Sequence, residues 1–183
     1  MEELEELKGR MSEQRPVEWE AFPDIGLYMD QIISYMPRQL IHYGEGDLLT
    51  SAMVNNYIKD GLLPRAEGKR YSRSHLAYLT AICVLKQVLS VKEIRLLIAA
   101  GTEHKQGDPH ALYDYFCRQL DSALNETAEH LPVEGEAEDL PRLALVLALR
   151  SYADRLACER VLDILAQHRP LPERQERKKE KGK

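Results

Sequence analysis

The feature that most constrains the fold is a series of helix start and stop signals in the middle of the chain. Thr50 is placed to cap a helix that Gly61 ends, and Ser72 is placed to cap the next helix. A capping box, Ser90-Val-Lys-Glu93, begins a third helix, and Asp108-Pro109 begins a fourth. Such closely spaced boundaries favour short helices with tight connections, so we expect a mainly α-helical fold.

A different pattern lies between the first two of these helices. In segment 62–71, apolar residues at both ends flank a polar tip that contains Pro64 and Gly68. This pattern predicts a two-stranded β-hairpin. With the helices before and after it, the hairpin predicts a winged helix-turn-helix. The helix at about 50–60 would enter the major groove of DNA, and the wing at 62–71 would lie on the phosphate backbone.

The helix expected at 50–60 has two chemically different faces. Val54, Tyr57 and Ile58 recur at helical spacing and should face the core. The opposite face has no acidic residue, and its side chains can hydrogen-bond to base edges, contact a thymine methyl or reach a phosphate. It consists of Ala52, Asn55, Asn56 and Lys59. The alternative is that the amides and the lysine are ordinary surface residues.

Positive charge is concentrated around this helix. Residues 50–107 carry nine basic and four acidic residues, net +5, whereas residues 1–49 carry net -7 and residues 108–169 carry net -6. The helix N-terminus and the cations that follow should bind phosphates. These residues are Thr50, Ser51, Arg65, Lys69, Arg70 and Arg73. The alternative is that the charges only solvate the surface or keep an edge strand from pairing.

Several motifs in this region resemble those of MerR-type transcription regulators. They are Asn56-Tyr-Ile-Lys-Asp-Gly-Leu-Leu63, Gly68-Lys-Arg-Tyr-Ser72, the apolar residues Leu76, Leu79 and Ile82, and Leu89-Ser-Val-Lys-Glu-Ile-Arg-Leu-Leu97. Over residues 19–31, 49–87 and 113–117, the chain is also similar to an uncharacterised Gram-positive bacterial family with a MerR-like core.

The MerR resemblance implies binding of double-stranded DNA as a homodimer and regulation of transcription. It also implies that Asn55, Asn56 and Lys59 lie in the major groove. It does not indicate an effector. The Arg-Tyr-Tyr typical of the recognition helix is Asn55-Asn-Tyr57 here. This departure keeps a second interpretation open, in which a degenerate winged helix acts as a protein–protein interaction module without base reading.

The pattern along the chain predicts four segments. They are an acidic N-terminal tail at 1–18, a MerR-like winged helix domain at 19–107, a C-terminal helical pair at 108–169 and a charged, disordered tail at 170–183. Within the second segment, Pro23 and Asp24 are expected to begin a helix that runs to Met36. Apolar residues surround the start of the last helix, so the helical pair is a candidate dimerisation element. The alternative is that it packs on its own winged domain.

Composition and missing motifs restrict the remaining functions. Hydrophobic residues make up 44% of the chain, but no apolar run is long enough to span a bilayer and the start does not resemble a signal peptide. We therefore expect a cytoplasmic protein without membrane association. The three cysteines are widely spaced and lack zinc-ligand spacing, and phosphate-loop and hydrolase motifs are missing. We expect no enzyme activity, no cofactor and no metal.

Overall fold

The computed structural model describes residues 2–39, 49–104, 107–132 and 136–169, so the charged tail expected at 170–183 lies outside the described residues. Within these ranges the chain is mainly α-helical, as expected. It forms seven α-helices: α1 (Glu2–Glu13), α2 (Met29–Tyr35), α3 (Ser51–Lys59), α4 (Arg73–Leu85), α5 (Val91–His104), α6 (Pro109–His130) and α7 (Leu140–His168). Short 3-10 turns lie at Trp19–Ala21, Met36–Gln39 and Ala137–Asp139.

The prediction of a winged helix-turn-helix is wrong, because the described residues contain no β-strand and therefore no hairpin wing. Leu62 and Leu63 are adjacent, yet both are almost completely buried, and both of their N–H groups donate to the carbonyl of Tyr57. Neighbouring residues in a strand point to opposite faces, so this pair cannot begin a half-exposed hairpin. It closes the end of α3 instead. The rest of the expected wing is a loop with one isolated bridge within it, between Glu67 and Arg70, and a second bridge from Tyr71 to Leu27 outside the wing.

The helix expected to begin at Pro23 begins only at Met29. Leu27 is extended and pairs with Tyr71, and the N–H of each residue donates to the carbonyl of the other at 2.9 and 2.8 Å. The Gln31 side chain then accepts the N–H of Tyr28 at 2.8 Å and begins α2. The apolar periodicity before Met29 was therefore misleading, because a residue distant in sequence determines the backbone there.

The capping signals are confirmed at three helix starts. The Thr50 hydroxyl accepts a backbone N–H of α3 at 3.2 Å. Ser90 and Glu93 each accept the other's backbone N–H, at 3.3 and 2.6 Å. The Asp108 carboxylate accepts a backbone N–H of α6 at 3.0 Å. Gly61 has φ of 74°, so it ends α3 in the left-handed conformation that glycine adopts without strain.

α4 is the centre of the core. Its residues Leu76, Leu79 and Ile82 have no solvent exposure. All the other helices except α1 contribute fully buried or partly buried apolar side chains to the same cluster. These contacts come from Ile32 of α2, Val54 and Tyr57 of α3, Ile94 of α5, Tyr113 of α6 and Leu162 of α7.

The two C-terminal helices do not form a pair packed chiefly on each other. α6 lies along α1 and α4, whereas α7 lies against α5. Arg15, just after α1, has its Nε 2.6 Å from a carboxylate oxygen of Asp121 and its Nη2 2.6 Å from the side-chain oxygen of Asn125. Tyr113 of α6 donates its hydroxyl to the Val17 carbonyl at 2.8 Å. These contacts fix α6 to the N-terminal part of the chain and leave α7 on the outside.

Candidate nucleic-acid interface

α3 has one buried side and one exposed side. Val54 is fully buried and Tyr57 nearly so, which fixes the rotation of the helix about its own axis. Their burial leaves the opposite side of the helix outward. The four residues predicted to read bases are exposed there and lie at helical spacing on one face: Ala52, Asn55, Asn56 and Lys59. We call these four residues the α3 face.

The start of α3 holds the two predicted phosphate contacts that come from the helix N-terminus. Thr50 uses its hydroxyl to accept the Met53 N–H, so this side chain already caps the helix. Ser51 is exposed in the first turn of α3. The positive end of the helix dipole therefore lies next to the α3 face, where it favours a negative group.

The loop that leaves α3 presents the predicted cations Arg65 and Lys69, and both are exposed. Two backbone hydrogen bonds between Glu67 and Arg70, at 3.1 and 2.9 Å, close a tight turn over Gly68 and Lys69. Both central residues have positive φ, 55° for Gly68 and 65° for Lys69. For a lysine this conformation costs about 1 kcal/mol or more. The turn thus holds a charged side chain outward at the expense of backbone strain.

Arg70 is oriented by residues that come before α2. Its guanidinium carbon lies 5.1 Å from the centre of the Tyr28 ring, and its Nη2 donates to the Tyr28 hydroxyl at 3.2 Å. A Cβ at Gly26 would lie 2.9 Å from the Cβ of Arg70, so only glycine allows this close approach. Both Tyr28 and Arg70 are exposed, which leaves an ordered cation on the surface.

Arg73, the last of the predicted phosphate contacts, is tied to its own chain. Its Nη2 lies 3.2 Å from the carbonyl oxygen of Phe22 and 3.2 Å from a carboxylate oxygen of Asp24. The residue is half-buried at the first position of α4. These contacts join α4 to the segment before α2, so Arg73 is less available to a phosphate than Arg70.

His75 connects the loop to α4. Its Nδ1 accepts the Ser72 N–H at 3.0 Å, which places the proton of the neutral ring on Nε2. That Nε2 lies 3.4 Å from the carbonyl oxygen of Arg65, to which it can donate. Burial lowers the pKa of His75 and so favours the neutral ring that the contact with the Ser72 N–H requires. The imidazole thereby caps α4 and holds the part of the loop that carries Arg65.

Sequence reasoning did not find three of these supporting residues. Gly26 and Tyr28 had been assigned to a helix, and His75 had no assigned role. The Pro-Asp-Ile-Gly sequence at 23–26 is typical of a turn and could have indicated that the chain is not helical there. The pairing of Leu27 with Tyr71 has no local signal.

Two of the three cysteines are held in the thiol form. Burial raises the pKa of Cys83 to about 11, and it also raises the pKa of Cys117, so both thiols stay protonated at neutral pH. Within the described ranges, no three His, Cys, Asp or Glu side chains lie together in a way that could hold a metal ion. Over the same part of the chain, no helix is long and apolar enough to cross a bilayer.

Comparison with known proteins adds a family but no activity. Searches of curated proteins and of solved structures returned no match. Residues 17–116 match the family described as Domain of unknown function (DUF1836). This span includes α2 to α5 and the first part of α6, and with them the α3 face and the loop that follows it. Because the match covers more than half of the 183 residues, the chain belongs to the DUF1836 family.

Proposed function

We propose that this chain binds double-stranded DNA through the α3 face and acts in the cytoplasm as a regulator of transcription. The observation that carries the proposal is the exposure of two adjacent amides and a lysine on a helix whose other side is anchored by Val54 and Tyr57. An anchored helix presents its outward side chains in a fixed register, which base reading requires.

The chemistry of the α3 face suits the major groove. An asparagine amide can pair with N6 and N7 of adenine, the Ala52 methyl can contact the thymine methyl, and Lys59 can reach guanine or a phosphate. The face has no carboxylate that would repel the DNA backbone. Asn55 and Asn56 are therefore the residues that we expect to determine sequence preference.

The cations of the loop supply the sequence-independent part of the proposal. Arg65 and Lys69 are exposed, and Tyr28 holds Arg70 outward without neutralising it. Each phosphate that such a cation neutralises releases counterions and makes binding weaker as salt rises. This part does not depend on a β-hairpin wing, which the chain lacks in its described residues.

Selection of bound duplexes from a random pool at low salt, followed by sequencing, tests the proposal. We expect enrichment of a defined site. Asn55→Ala should relax the preference at one base pair, at a cost of roughly 1–3 kcal/mol, because it removes a bidentate contact. Arg70→Ala should weaken binding to all sequences and reduce the salt slope by about one unit.

A matched control is Arg150→Ala, which removes an exposed cation from α7 and should leave both the preference and the salt slope unchanged. Failure of every duplex to bind at low salt would reject the proposal. Loss of affinity in Asn55→Ala without any change in base preference would limit α3 to a structural role.

A protein–protein interaction module is the second candidate, and one observation favours it. Tyr28 is 46% exposed and its ring lies against Arg70, and Ile25, three residues earlier in the chain, is 69% exposed. An exposed tyrosine that packs against an ordered arginine is typical of a protein interface. Under this alternative, Ile25→Asp would abolish binding of a protein partner and no duplex would be enriched. Under the DNA proposal, Ile25→Asp would leave the selected site unchanged.

A further inference from the structure

α7 exposes more apolar surface than a helix anchored on a core requires. Among the described residues, twelve large hydrophobic side chains are exposed, and eight of these are on α7. Leu162 is the residue of this helix that is buried. A contiguous exposed apolar surface on one element marks a contact with another molecule.

Four of the exposed side chains form a stripe with the spacing of a coiled coil. Leu145, Leu149, Tyr152 and Leu156 are separated by four, three and four residues, and each is more than half exposed. We call these residues the α7 stripe. They extend over about 16 Å of helix, because each residue adds about 1.5 Å. This spacing places all four side chains on one seam of the helix, and a second helix can cover that seam.

The α7 stripe lies on the other side of the helix from the contacts with the core. Leu147, Cys158, Leu162 and Leu165 are half-buried or buried and recur at helical spacing on the inner side. α5 is the neighbour on that side, and Arg155 extends from α7 to within 3.8 Å of Glu93. Covering the outer stripe therefore requires no rearrangement of the folded chain.

Opposite charges at the two ends of the stripe indicate what covers it. Arg142 continues the seam one step before Leu145, and Glu159 continues it one step after Leu156. If two copies of α7 lie antiparallel about an axis between Arg150 and Ser151, each Arg142 faces Glu159 of the second copy. In a parallel arrangement, arginine would face arginine and glutamate would face glutamate, which is unfavourable.

The apolar residues fit the same arrangement. With that axis, Leu145 faces Leu156 of the second copy and Leu149 faces its Tyr152, so the four layers are symmetric. Glu159 already has a carboxylate oxygen 2.7 Å from Nε of Arg155 and stays 47% exposed, so Arg142 of the second copy would join an existing ion pair. The sequence after α7, at 170–183, has a single leucine and no other large apolar residue, which is too little to cover the stripe.

We propose that the α7 stripe binds the α7 stripe of a second copy of this chain in an antiparallel arrangement. The contact is isologous, because each copy offers the same surface and the pairing closes after two copies. It does not depend on DNA binding, since the α3 face is on a different helix and either proposal can fail alone.

Light scattering of the full chain during gel filtration tests the association. We expect twice the 21.0 kDa of one chain. Leu149→Glu should raise the dissociation constant of the dimer at least about tenfold. The symmetric interface would bury two new carboxylates, one from each copy. Val161→Glu is the matched control: Val161 is 63% exposed on α7 but lies outside the stripe, so it should leave the mass unchanged.

Disulfide cross-linking tests the direction of pairing. Leu145→Cys and Leu156→Cys are prepared separately, and the unmodified chain serves as the control for the three native cysteines. In an antiparallel dimer, a mixture of the two variants should form a cross-linked dimer, and neither variant should do so alone. Cross-linking of each variant alone would overturn the antiparallel arrangement. A mass of one chain at all accessible concentrations would overturn the proposal.

Discussion

At the scale of single residues, His75 is a group whose contacts depend on its protonation state. Its neutral ring accepts the Ser72 N–H at Nδ1, whereas Nε2 can donate to the Arg65 carbonyl whether or not the ring is charged. Protonation of Nδ1 would place a second donor against the Ser72 N–H. The α4 cap would then be weakened, whereas the contact with the Arg65 carbonyl would remain.

The pH dependence of stability follows from the direction of this shift. Burial lowers the pKa of His75 in the folded chain below its ordinary value near 6.5, so the native state binds fewer protons than the unfolded state. The stabilisation is complete above the unfolded pKa and is lost as the pH falls through the folded pKa. Urea unfolding between about pH 8 and pH 5 should show this loss.

The substitution His75→Gln distinguishes the contribution of His75 to the pH dependence of stability from that of the other histidines. A glutamine three residues after Ser72 restores a capping box, because its side-chain oxygen can accept the Ser72 N–H without titrating. We expect the variant to lose stability less steeply than the natural chain as the pH falls. Identical pH profiles for the two proteins would contradict a role for the His75 ring.

At the scale of secondary-structure elements, helix starts could be predicted from the sequence and non-local pairings could not. A cap is a contact between residues two or three apart, so Ser90 and Asp108 identified α5 and α6 correctly. The expected wing failed because Tyr71 pairs with Leu27, 44 positions earlier, and not with the residues that follow α3. The same pairing keeps the chain extended at Leu27, so α2 begins at Met29 and not at Pro23. The turn-like sequence at 23–26 hints at the shorter helix, but no local pattern reveals the pairing itself.

Gly101 shows a further limit of local reasoning. A glycine is a common end of a helix, but α5 continues past Gly101 to His104. A Cβ at this position would lie 3.1 Å from a methyl carbon of Leu112, so the glycine allows α6 to approach. In this helix glycine serves close packing, whereas at Gly61 it ends a helix.

The Thr50 cap should control the stability of α3. Thr50→Ala removes the acceptor for the Met53 N–H and should lower the free energy of unfolding by about 1 kcal/mol. Thr50→Ser keeps the hydroxyl and should be close to the natural chain. Denaturant unfolding measures both variants. Equal losses in the alanine and serine variants would show that the methyl group, and not the cap, accounts for the effect.

At the scale of the whole molecule, one apolar cluster includes residues from Phe22 to Leu162. The exterior helix α7 therefore belongs to the same core as the segment matched by the family, although it lies outside that match. Sequence reasoning did not predict that α6 would lie against α1. Arg15, just after α1, reaches Asp121 of α6 in a long-range ion pair that has no local pattern.

Because α7 shares one apolar core with the other helices, we expect the chain to unfold in a single transition. Leu162→Ala should lower the free energy of unfolding by about 2–5 kcal/mol, because it leaves a cavity among buried side chains. Val161→Ala, at the exposed neighbour, should change it by less than about 0.5 kcal/mol. Denaturation followed by circular dichroism and by Trp19 fluorescence should give coincident curves. Two separate transitions would show that α7 unfolds on its own.

The lysine at φ 65° in the loop after α3 has a consequence for selection experiments. Glycine at position 69 would relieve the backbone strain by about 1 kcal/mol, so a library randomised there and selected for thermal stability should converge on glycine. Selection for phosphate binding should retain lysine or arginine despite the strain. The two selections would thus yield different residues at position 69. The natural lysine is the residue expected from selection for charge.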